Sequence, residues 1–576
     1  MNRTPPIDPF DPARRVGTIL SLTATHAQIA VSGTLADSLE VGGHVVVDCG
    51  ELILFGRVAS LNLCPDAKVG LNGRAPANAT GQVELFTTIS NSGETAGRGI
   101  ARSPRLGSPV FLAPAQLLSW LFECSQIGEF ASEPVTLSLA SFADGLQVRL
   151  APERVFGRHC AVLGATGAGK SWTLARLIEQ SALYACKVIL FDATGEFHTL
   201  GMAGVRHVHI GGDPIGEDTS NEVCVPFHEL TESDLFAFFK PSGPTHPPKL
   251  RAAMKSLKLA AVPQLASEGV VLKAGKRKAA FEAAYAAKAR EVEDARASFD
   301  IFKLSAQIDA ECVFPWGGFA SNPDPSRWGA PNEVERSNCV SLITRIEDML
   351  QAPELACIFQ PGNKRSVFDE IGSFITDPAA RVLRISLKHL PFAHDAREIV
   401  ANALARHLLS QARAEAFRDR PLLVVLDEAH HFLNKTLGDE NARYVLDSFE
   451  LLAKEGRKHS LNLCIATQRP RDIPEGILSQ MGTLVIHRLT NDQDREMIER
   501  ASSEVDRTAL DLVPGLQEGH AVIVGVDFPI PLTVQILKPA KQPDSRSPDY
   551  QGQWRAAAVP DQSQSDINAA ASLTTD

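Results

Sequence analysis

The chain has 576 residues, a formal net charge of −11 at pH 7, 44% hydrophobic residues and 22% charged residues. This length predicts two or three domains of ordinary globular composition, and the acidic balance argues against a protein that coats nucleic acid with its whole surface. No apolar run reaches the roughly 20 residues of a membrane span and the start lacks a signal-peptide core, so we expect a cytoplasmic protein with no membrane partner.

The first part of the chain, residues 1–100, predicts a small β-barrel. Short runs rich in β-branched residues, such as 16–20 and 44–48, are separated by glycine-containing turns such as Gly42–Gly43. Short strands joined by tight turns are typical of small barrels. Residues 101–150 are less regular and are interpreted as a connecting segment.

A P-loop pattern follows, with every fixed position filled from Gly164 to Ser171. The apolar run Cys160–Leu163 before it predicts a buried strand, and the residues after it predict a helix. Glycines let such a loop turn its backbone N–H groups toward phosphates, and the helix N-terminus adds partial positive charge. Lys170 is expected at the β- and γ-phosphates of a nucleoside triphosphate, and the Ser171 hydroxyl at Mg²⁺. The alternative is a glycine-rich turn without nucleotide. The predicted nucleotide-binding residues are Gly164, Ala165, Thr166, Gly167, Ala168, Gly169, Lys170, Ser171 and Trp172.

A second buried strand, Lys187–Asp192, completes a strand, helix, strand unit, and further strand-like runs recur after residue 380. This order predicts an α/β fold whose core is a parallel sheet covered by helices. The expected parts are the barrel, 1–100; the connecting segment, 101–150; the α/β ATPase core, 151–227 and 346–540; a helical insertion, 228–345; and a disordered tail, 541–576.

Within the insertion, Lys276–Lys278 opens an alanine-rich run of helix-forming residues that extends to Ala297. A basic cluster is one signature of nucleic-acid binding. Mixed charges on a helix are also typical of a solvated face, and this second interpretation is favoured.

The run Leu422–Leu426 predicts a buried strand that ends in two acids. Asp427 is the candidate for holding Mg²⁺, and Glu428 is the candidate base that polarises an attacking water. Two solvated acids at a strand end are the plain alternative.

Two more catalytic candidates lie further along the chain. Gln468 follows the next strand, at the edge where ligands gather in open α/β folds, and is expected to orient the water or to sense the γ-phosphate. Arg457 is the best arginine-finger candidate, because its planar guanidinium suits the charge that develops on a transferred phosphate. Arg488 is the second choice, and an ordinary surface arginine is the alternative for Arg457.

Other polar residues carry weaker signals. Asp192 and Glu196 close the second strand and are expected to organise the site or an interface, or merely to cap a helix. His430 and His431 invite a metal interpretation, which the lack of partners at ligand spacing disfavours.

Together these segments resemble the HerA family of hexameric DNA translocases, which are relatives of FtsK. The segments are Gly164–Ser171, Phe191–Phe197, Val424–Leu433, Glu455–Pro470 and Leu512–Gly525. The resemblance implies an N-terminal HAS-like barrel and a RecA-like ATPase, assembled as a homohexamer around double-stranded DNA, that hydrolyses ATP with Mg²⁺ between subunits. It places Lys170 and Ser171 at phosphate and metal, makes Asp427 and Glu428 the acidic pair and Gln468 the sensor, and gives Arg457 a role in the neighbouring subunit. It also implies a partner, either a NurA-like nuclease or, in anti-phage complexes, a Sir2-like or nuclease effector.

Two functions remain open from the sequence. One is a motor that translocates on or unwinds duplex DNA, with Lys435 as a candidate pore residue. The other is an ATPase scaffold that assembles and switches an effector, for which the acidic charge and the barrel leave room. A small-molecule kinase is disfavoured, because the acidic pair, sensor and finger suit a hydrolase.

Overall fold

The computed structural model describes residues 4–555 apart from 33–37, 64–78, 93–98, 127–134, 213–217, 263–264, 295, 297–298, 320, 434, 440–441, 502–506 and 546–549. The chain divides into two compact units, Met1–Pro543 and Asp544–Asp576. Among the helices of the described residues, none combines the length and the apolar composition of a membrane-crossing segment.

The first unit contains strands and helices in the following order. The strands are β1 Arg15–Leu22, β2 His26–Val31, β3 His44–Asp48, β4 Leu52–Leu63, β5 Ala79–Ser90, β6 Pro109–Leu112, β7 Leu137–Ser141, β8 Gln147–Leu150, β9 Cys160–Leu163, β10 Lys187–Asp192, β11 Val205–Ile210, β12 Asn221–Val223, β13 Ala266–Ser267, β14 Val270–Val271, β15 Gly317–Phe319, β16 Asn322–Asp324, β17 Val382–Ser386, β18 Leu422–Leu426, β19 Lys435–Asp439, β20 Ala442–Leu446, β21 Leu461–Thr467, β22 Thr483–Ile486, β23 His520–Gly525 and β24 Leu532–Ile536. The helices are α1 Ala115–Gln126, α2 Pro152–Phe156, α3 Lys170–Ala182, α4 Glu232–Phe239, α5 His246–Leu259, α6 Lys278–Ala287, α7 Ala289–Glu293, α8 Leu304–Glu311, α9 Glu333–Gln351, α10 Ala356–Phe359, α11 Val367–Thr376, α12 Ala396–Arg413, α13 Ser448–Glu455, α14 Glu475–Leu478, α15 Asp492–Ala501 and α16 Arg507–Leu512.

The predicted N-terminal barrel is confirmed. Its described strands close antiparallel in the order β1-β2-β5-β4-β3-β6. Glycine is required where strands approach closely, since a Cβ on Gly17 would lie 2.1 Å from the carbonyl oxygen of Ala30. A buried ion pair joins the long strands β4 and β5, with 3.1 Å between the Arg57 guanidinium and the Glu84 carboxylate. Closure leaves these strands without a free edge.

The predicted α/β core is also confirmed. A twelve-stranded sheet in the described residues has the order β12-β11-β17-β10-β18-β21-β9-β22-β23-β24-β7-β8. Strands from β12 to β22 run parallel, and β23, β24, β7 and β8 extend the sheet antiparallel. The sheet therefore includes one hairpin, β7 with β8, that precedes residue 151.

Helices cover both faces of this sheet, which explains why its central strands are apolar along their whole length. Every residue of β9, β10 and β18 is buried. Alternate side chains of β10 point to opposite sides: Ile189 and Phe191 join the core that holds α12 and the insertion, whereas Val188 and Leu190 join the core that holds α3 and the barrel residue Phe55. The barrel and the sheet thus share one hydrophobic core.

The insertion is helical, as predicted, and is built on α4, α5, α8 and α9. Helix α4 begins at a capping box in which Thr231 and Asp234 satisfy each other's backbone N–H groups. The alanine-rich helix α6 has no buried residue, which fits the favoured solvated interpretation. The basic cluster is not on the solvated helix, however, because Lys276 and Arg277 precede α6. The backbone of Arg277 is extended and pairs antiparallel with that of Arg327.

In the second unit, the described residues include helix α17, Tyr550–Arg555, where the Tyr550 and Trp554 rings lie 4.9 Å apart. The Trp554 side chain is exposed. The remainder of the predicted disordered tail, residues 556–576, lies outside the described residues.

His159 fixes the start of the central strands and makes the fold sensitive to acid. Its Nε2 lies 2.9 Å from the carbonyl oxygen of Ala453, and its Nδ1 accepts the N–H of Leu463 at 2.9 Å. A neutral ring with its proton on Nε2 satisfies both contacts, and a charged ring cannot accept the second one. Burial lowers the pKa of His159 to about 4.

Acidification should therefore destabilise the protein. Because the folded pKa of His159 lies below the unfolded value, the stabilisation is complete above that unfolded value and is lost as the pH falls toward the folded one. Between pH 6.5 and 5, one such histidine accounts for about 2 kcal/mol. We expect the thermal unfolding midpoint to fall over this range, and to fall less steeply in His159→Asn. An equally steep fall in the variant would contradict this assignment.

Candidate active site

The P-loop lies between β9 and α3, at the carboxyl edge of the parallel strands. Gly167 and Gly169 have φ values of 74° and 115°, a backbone region that favours glycine. The Ala165 N–H donates to the Arg488 carbonyl at 2.9 Å, which ties the loop to the end of β22. The Lys170 Nζ is buried and lies 3.1 Å from the Ala165 carbonyl, so it points back across its own loop.

A buried histidine packs against this loop. His487 Nδ1 lies 2.9 Å from the His520 carbonyl, and its Nε2 lies 2.8 Å from the Thr173 hydroxyl on α3. Burial lowers the pKa of His487 to about 4, so the ring is neutral and its Nε2 accepts from Thr173. A Cβ on Gly164 would lie 2.6 Å from the His487 Cβ, so the glycine permits this close packing.

Acidic side chains from neighbouring strands converge on Lys170. Asp427 follows β18 and is almost fully buried, and Glu196 follows β10 and accepts the Ser171 hydroxyl at 3.2 Å. Burial, together with the charges of Asp192, Glu428 and Glu196, raises the pKa of Asp427 well above its ordinary value, which Lys170 only partly offsets. Burial also lowers the pKa of Lys170, against the raising effect of these acids.

The second acid of the pair, Glu428, has a left-handed backbone with φ of 46°. Its Oε2 lies 3.2 Å from Nδ1 of His430, and that nitrogen lies 3.2 Å from the Thr467 hydroxyl. Burial alone would raise the pKa of Glu428, but the His430 contact and the Lys170 charge lower it overall. Glu428 is therefore ionised, as a base must be. His430 and His431 stack at 4.2 Å, and the described residues contain no cluster suited to a metal ion at these histidines.

The loop after β10 is held by a fully buried ion pair. The Asp192 carboxylate accepts the Gly195 N–H at 2.7 Å and the Arg384 Nε–H at 2.7 Å. Arg384, on β17, also donates to Asp218 at 3.1 Å. These contacts position Glu196 and Thr194, whose hydroxyl lies 3.5 Å from Asp427.

The remaining predicted residues occupy different places. Gln468 follows β21 and hydrogen-bonds Thr166 of the P-loop, so the structure brings these two together. Trp172 is half-buried on the first turn of α3, with the Lys538 Nζ 5.5 Å above its ring. Arg488 is exposed beside the P-loop. Lys435 begins β19, and its side chain lies outside the described residues.

Arg457 is not brought into this cluster. It precedes β21, whose carboxyl end reaches the P-loop, so it lies at the opposite edge of the sheet. A strand of this length separates the two edges by about 20 Å. The Arg457 side chain is exposed and makes no hydrogen bond or ion pair with any other residue of the described part of the chain.

The residues present fit a magnesium nucleotide. Ser171, Asp427 and Glu196 offer oxygen atoms within one cluster, the donor type that Mg²⁺ prefers. Burial and the neighbouring acids raise the pKa of Asp427 and Lys170 offsets this only in part, so a bound divalent ion would favour its charged form. The added Cβ of a side chain at Gly167 would meet nothing within 4 Å, so the loop opens toward free space that phosphates could fill.

Known proteins resemble this chain in sequence. Residues 137–305 match the family model described as the central domain of helicase HerA. The DNA double-strand break repair helicase HerA of Sulfolobus acidocaldarius is 23% identical over 472 residues, which are 81% of this chain and 80% of that protein. The chain is thus similar to the HerA helicases over most of its length. This similarity confirms the predicted resemblance to the HerA family.

Other relatives align over less of their length. A probable helicase of Methanocaldococcus jannaschii, MJECL08, is 36% identical over 120 residues, and HerA of Pyrococcus furiosus is 38% identical over 119 residues. These alignments span only 22% and 20% of the two relatives. Among solved structures, the bacterial conjugative coupling protein TrwB is 16% identical with a TM-score of 0.42, covering 75% of this chain and 94% of that one.

His487, Thr173, Arg384 and Thr194 belong to the site but were not predicted from the sequence. A charged residue inside the apolar run Val382–Ser386 was the one signal for Arg384, because a buried arginine requires a buried acid. His487 gave no comparable signal, since its partners His520 and Thr173 are distant in the chain.

The Asp192–Arg384 pair should be strongly coupled. Arg384→Met leaves a buried carboxylate uncompensated and should lower the free energy of unfolding by about 3–5 kcal/mol. The double variant with Asp192→Asn should lose less than the sum of the single losses, as measured by denaturant unfolding. Arg413→Met is the control, because its pair with Glu455 is half exposed and should matter by less than about 1 kcal/mol. Additive losses would contradict the coupling.

Proposed function

We propose that this protein is an ATP-driven ring motor that translocates on or unwinds double-stranded DNA. The observation that carries the proposal is the convergence of Lys170, Ser171, Asp427 and Glu428 at one sheet edge. At the other edge, the exposed Arg457 side chain has no hydrogen bond or ion pair among the described residues. The names of its relatives, which include DNA double-strand break repair helicases, support DNA as the substrate.

Each residue of the cluster has a distinct task in this proposal. Lys170 holds the β- and γ-phosphates of ATP, and its acidic neighbours offset part of the effect of burial on its pKa. Ser171 and Asp427 would hold Mg²⁺, which when bound neutralises charge on the phosphates. Glu428, ionised at neutral pH, accepts a proton from the attacking water. Gln468, already tied to Thr166, connects the loop to β21 and so to the rest of the sheet.

The free guanidinium argues for a ring. Arg457 cannot reach the Lys170 cluster of its own chain across the length of β21, so its exposed guanidinium is available to the phosphates of a neighbour. An arginine supplied in this way stabilises charge at the transition state and makes hydrolysis depend on assembly. We infer a homohexamer in which each site is shared by two subunits.

The hairpin of β19 and β20 is the proposed link to DNA. It follows directly after the acidic pair, so a shift at Glu428 is passed to it through few residues. Lys435 begins the hairpin, and a lysine there would contact phosphates without reading bases. Binding should therefore weaken steeply with salt.

A partner protein forms the finer part of the proposal. A NurA-like nuclease would process ends that the motor exposes, and a Sir2-like or nuclease effector would place the ring in antiviral defence as a scaffold. The barrel is the proposed docking module, since it shares a core with the sheet and can transmit movement. Stimulation of ATP hydrolysis by duplex DNA alone would favour the motor, and activity that requires the partner would favour the scaffold.

The assigned roles of Lys170 and Glu428 can be separated. Lys170→Ala should abolish nucleotide binding, whereas Glu428→Gln should bind ATP normally and hydrolyse it at least about a hundredfold more slowly. A fluorescent nucleotide titration measures the first property and phosphate release the second. Thermal unfolding controls for folding. Equal loss of binding in both variants would refute the roles.

Mixed assemblies test the shared site. Arg457→Ala and Lys170→Ala should each be inactive alone, while a mixture should regain activity, because some interfaces then combine an intact loop with an intact arginine. Arg418→Ala, another exposed arginine, is the matched control and should stay active alone. No recovery at any mixing ratio would contradict an arginine acting between subunits.

A further inference from the structure

The insertion carries an exposed surface that the motor mechanism does not use. Three chain segments, around residues 275–278, 314–319 and 327–330, pair through their backbones: Trp328 N–H donates to the Lys276 carbonyl at 3.0 Å, and Gly317 N–H donates to the Arg327 carbonyl at 3.0 Å. They form a small platform that includes the β15–β16 hairpin. The sequence displays this region only as a basic cluster followed by an alanine-rich run.

Aromatic side chains stand out from this platform into solvent. Phe314, Trp316 and Phe319 are 49%, 60% and 83% exposed. Gly317 and Gly329 leave room between them, and a Cβ on Gly329 would lie 2.8 Å from the Phe314 Cβ. Exposed aromatics grouped in this way mark an interaction site rather than chance exposure.

Cations lie on the same paired segments. Arg277 and Arg327 are directly opposite in the antiparallel pairing, and a Cβ on Gly317 would lie 3.1 Å from the Arg327 Cβ, with Phe319 two residues further along that strand. Asp324 lies 3.8 Å from Arg327 in an ion pair whose side chains are both half exposed. Such a pair is weak and leaves the guanidinium available. Lys276 and Lys278 flank Arg277 in the sequence.

The platform is held rigid from within. The buried Lys273 Nζ lies 2.6 Å from the Glu311 carboxylate, and it stands 4.5 Å and 5.2 Å from the ring centres of Phe281 and Trp328. Trp328 is thereby fixed beside Arg327. A preformed surface costs less free energy to bind a ligand than one that must be ordered.

We propose that this insertion patch, Arg277, Phe314, Trp316, Phe319 and Arg327, binds single-stranded DNA. Unpaired bases offer flat faces for the aromatic rings, and the phosphates between them suit the arginines. Duplex DNA hides its base faces and would gain only the phosphate contacts. The cations favour a polyanion over an apolar protein segment. They are grouped here although the net charge of the chain is −11. The patch thus extends the proposed function, giving the motor a place to hold a separated strand.

Fluorescence anisotropy of the full-length protein tests the patch, with a labelled oligothymidylate and a duplex of equal length over a series of salt concentrations. Trp316→Ala with Phe319→Ala should weaken oligothymidylate binding about tenfold or more and duplex binding far less. Arg277→Glu with Arg327→Glu should also reduce the salt dependence, by about 0.7 in slope for each phosphate that the arginines no longer bind. Quenching of Trp316 fluorescence by the oligonucleotide, absent in Trp316→Phe, would localise the binding surface.

Matched controls change the same chemistry elsewhere. Arg102→Glu with Arg105→Glu alters two exposed arginines near the barrel, and Trp554→Ala removes an exposed aromatic side chain. Both should bind oligothymidylate normally. Lys170→Ala should also keep this binding, so failure of the ATPase proposal and failure of the patch are distinguishable. Unchanged oligothymidylate affinity in the patch variants would overturn the proposal, as would an equal loss for duplex. Loss of native mass in the patch variants would overturn it in favour of a subunit contact.

Discussion

The charge balance around Lys170 constrains the rest of this structure. Parallel strands end at a common edge, and β10 and β18 each place carboxylates there within reach of one lysine. Burial makes every uncompensated charge costly, so Asp427 has a raised pKa while Glu428, paired with His430, has a lowered one. Two neighbouring acids at one strand end thereby have pKa values that are shifted in opposite directions.

Several buried charges lie close together in this cluster, and the contacts around it satisfy them. Asp192 is fully buried beside the cluster, and it is tolerated because Arg384 and the N–H groups of Gly195 and Phe197 satisfy its oxygens. Those same bonds fix the turn that presents Glu196 to Ser171. The neutral ring of His487 has the corresponding role under the P-loop, where a positive charge would repel Lys170. Both supports lie outside the recognisable motifs, yet they set the geometry of the residues inside them.

Local patterns were sufficient to predict the parts of the fold that depend on short stretches of chain. The strand before Gly164, the helix after it and the strand ending at Asp427 all follow from apolar runs and loop chemistry. The sequence could not predict contacts between distant segments, such as His487 with Thr173 or Arg384 with Asp192, because single residues carry no pairing information. The same limit explains the hairpin β7–β8, which joins the sheet only through its distant partner β24. The helix-forming residues after Lys276 and Arg277 predict a helix there as well. These two residues are instead extended, because the backbone of Arg277 pairs with that of Arg327.

The two faces of the sheet carry different parts of the chain. One face shares its core with the closed barrel, so a change at the nucleotide has a stiff path toward that module. The other face carries the insertion, whose outer platform adds exposed aromatic rings and arginines without touching the residues around Lys170. The platform is braced by Lys273 and Glu311 rather than by the loops around Lys170, so under the proposed function its binding properties can change while the chemistry of hydrolysis stays constant. A motor of the proposed kind can acquire new ways to hold its substrate by altering such a surface, since no charge in the buried cluster has to move.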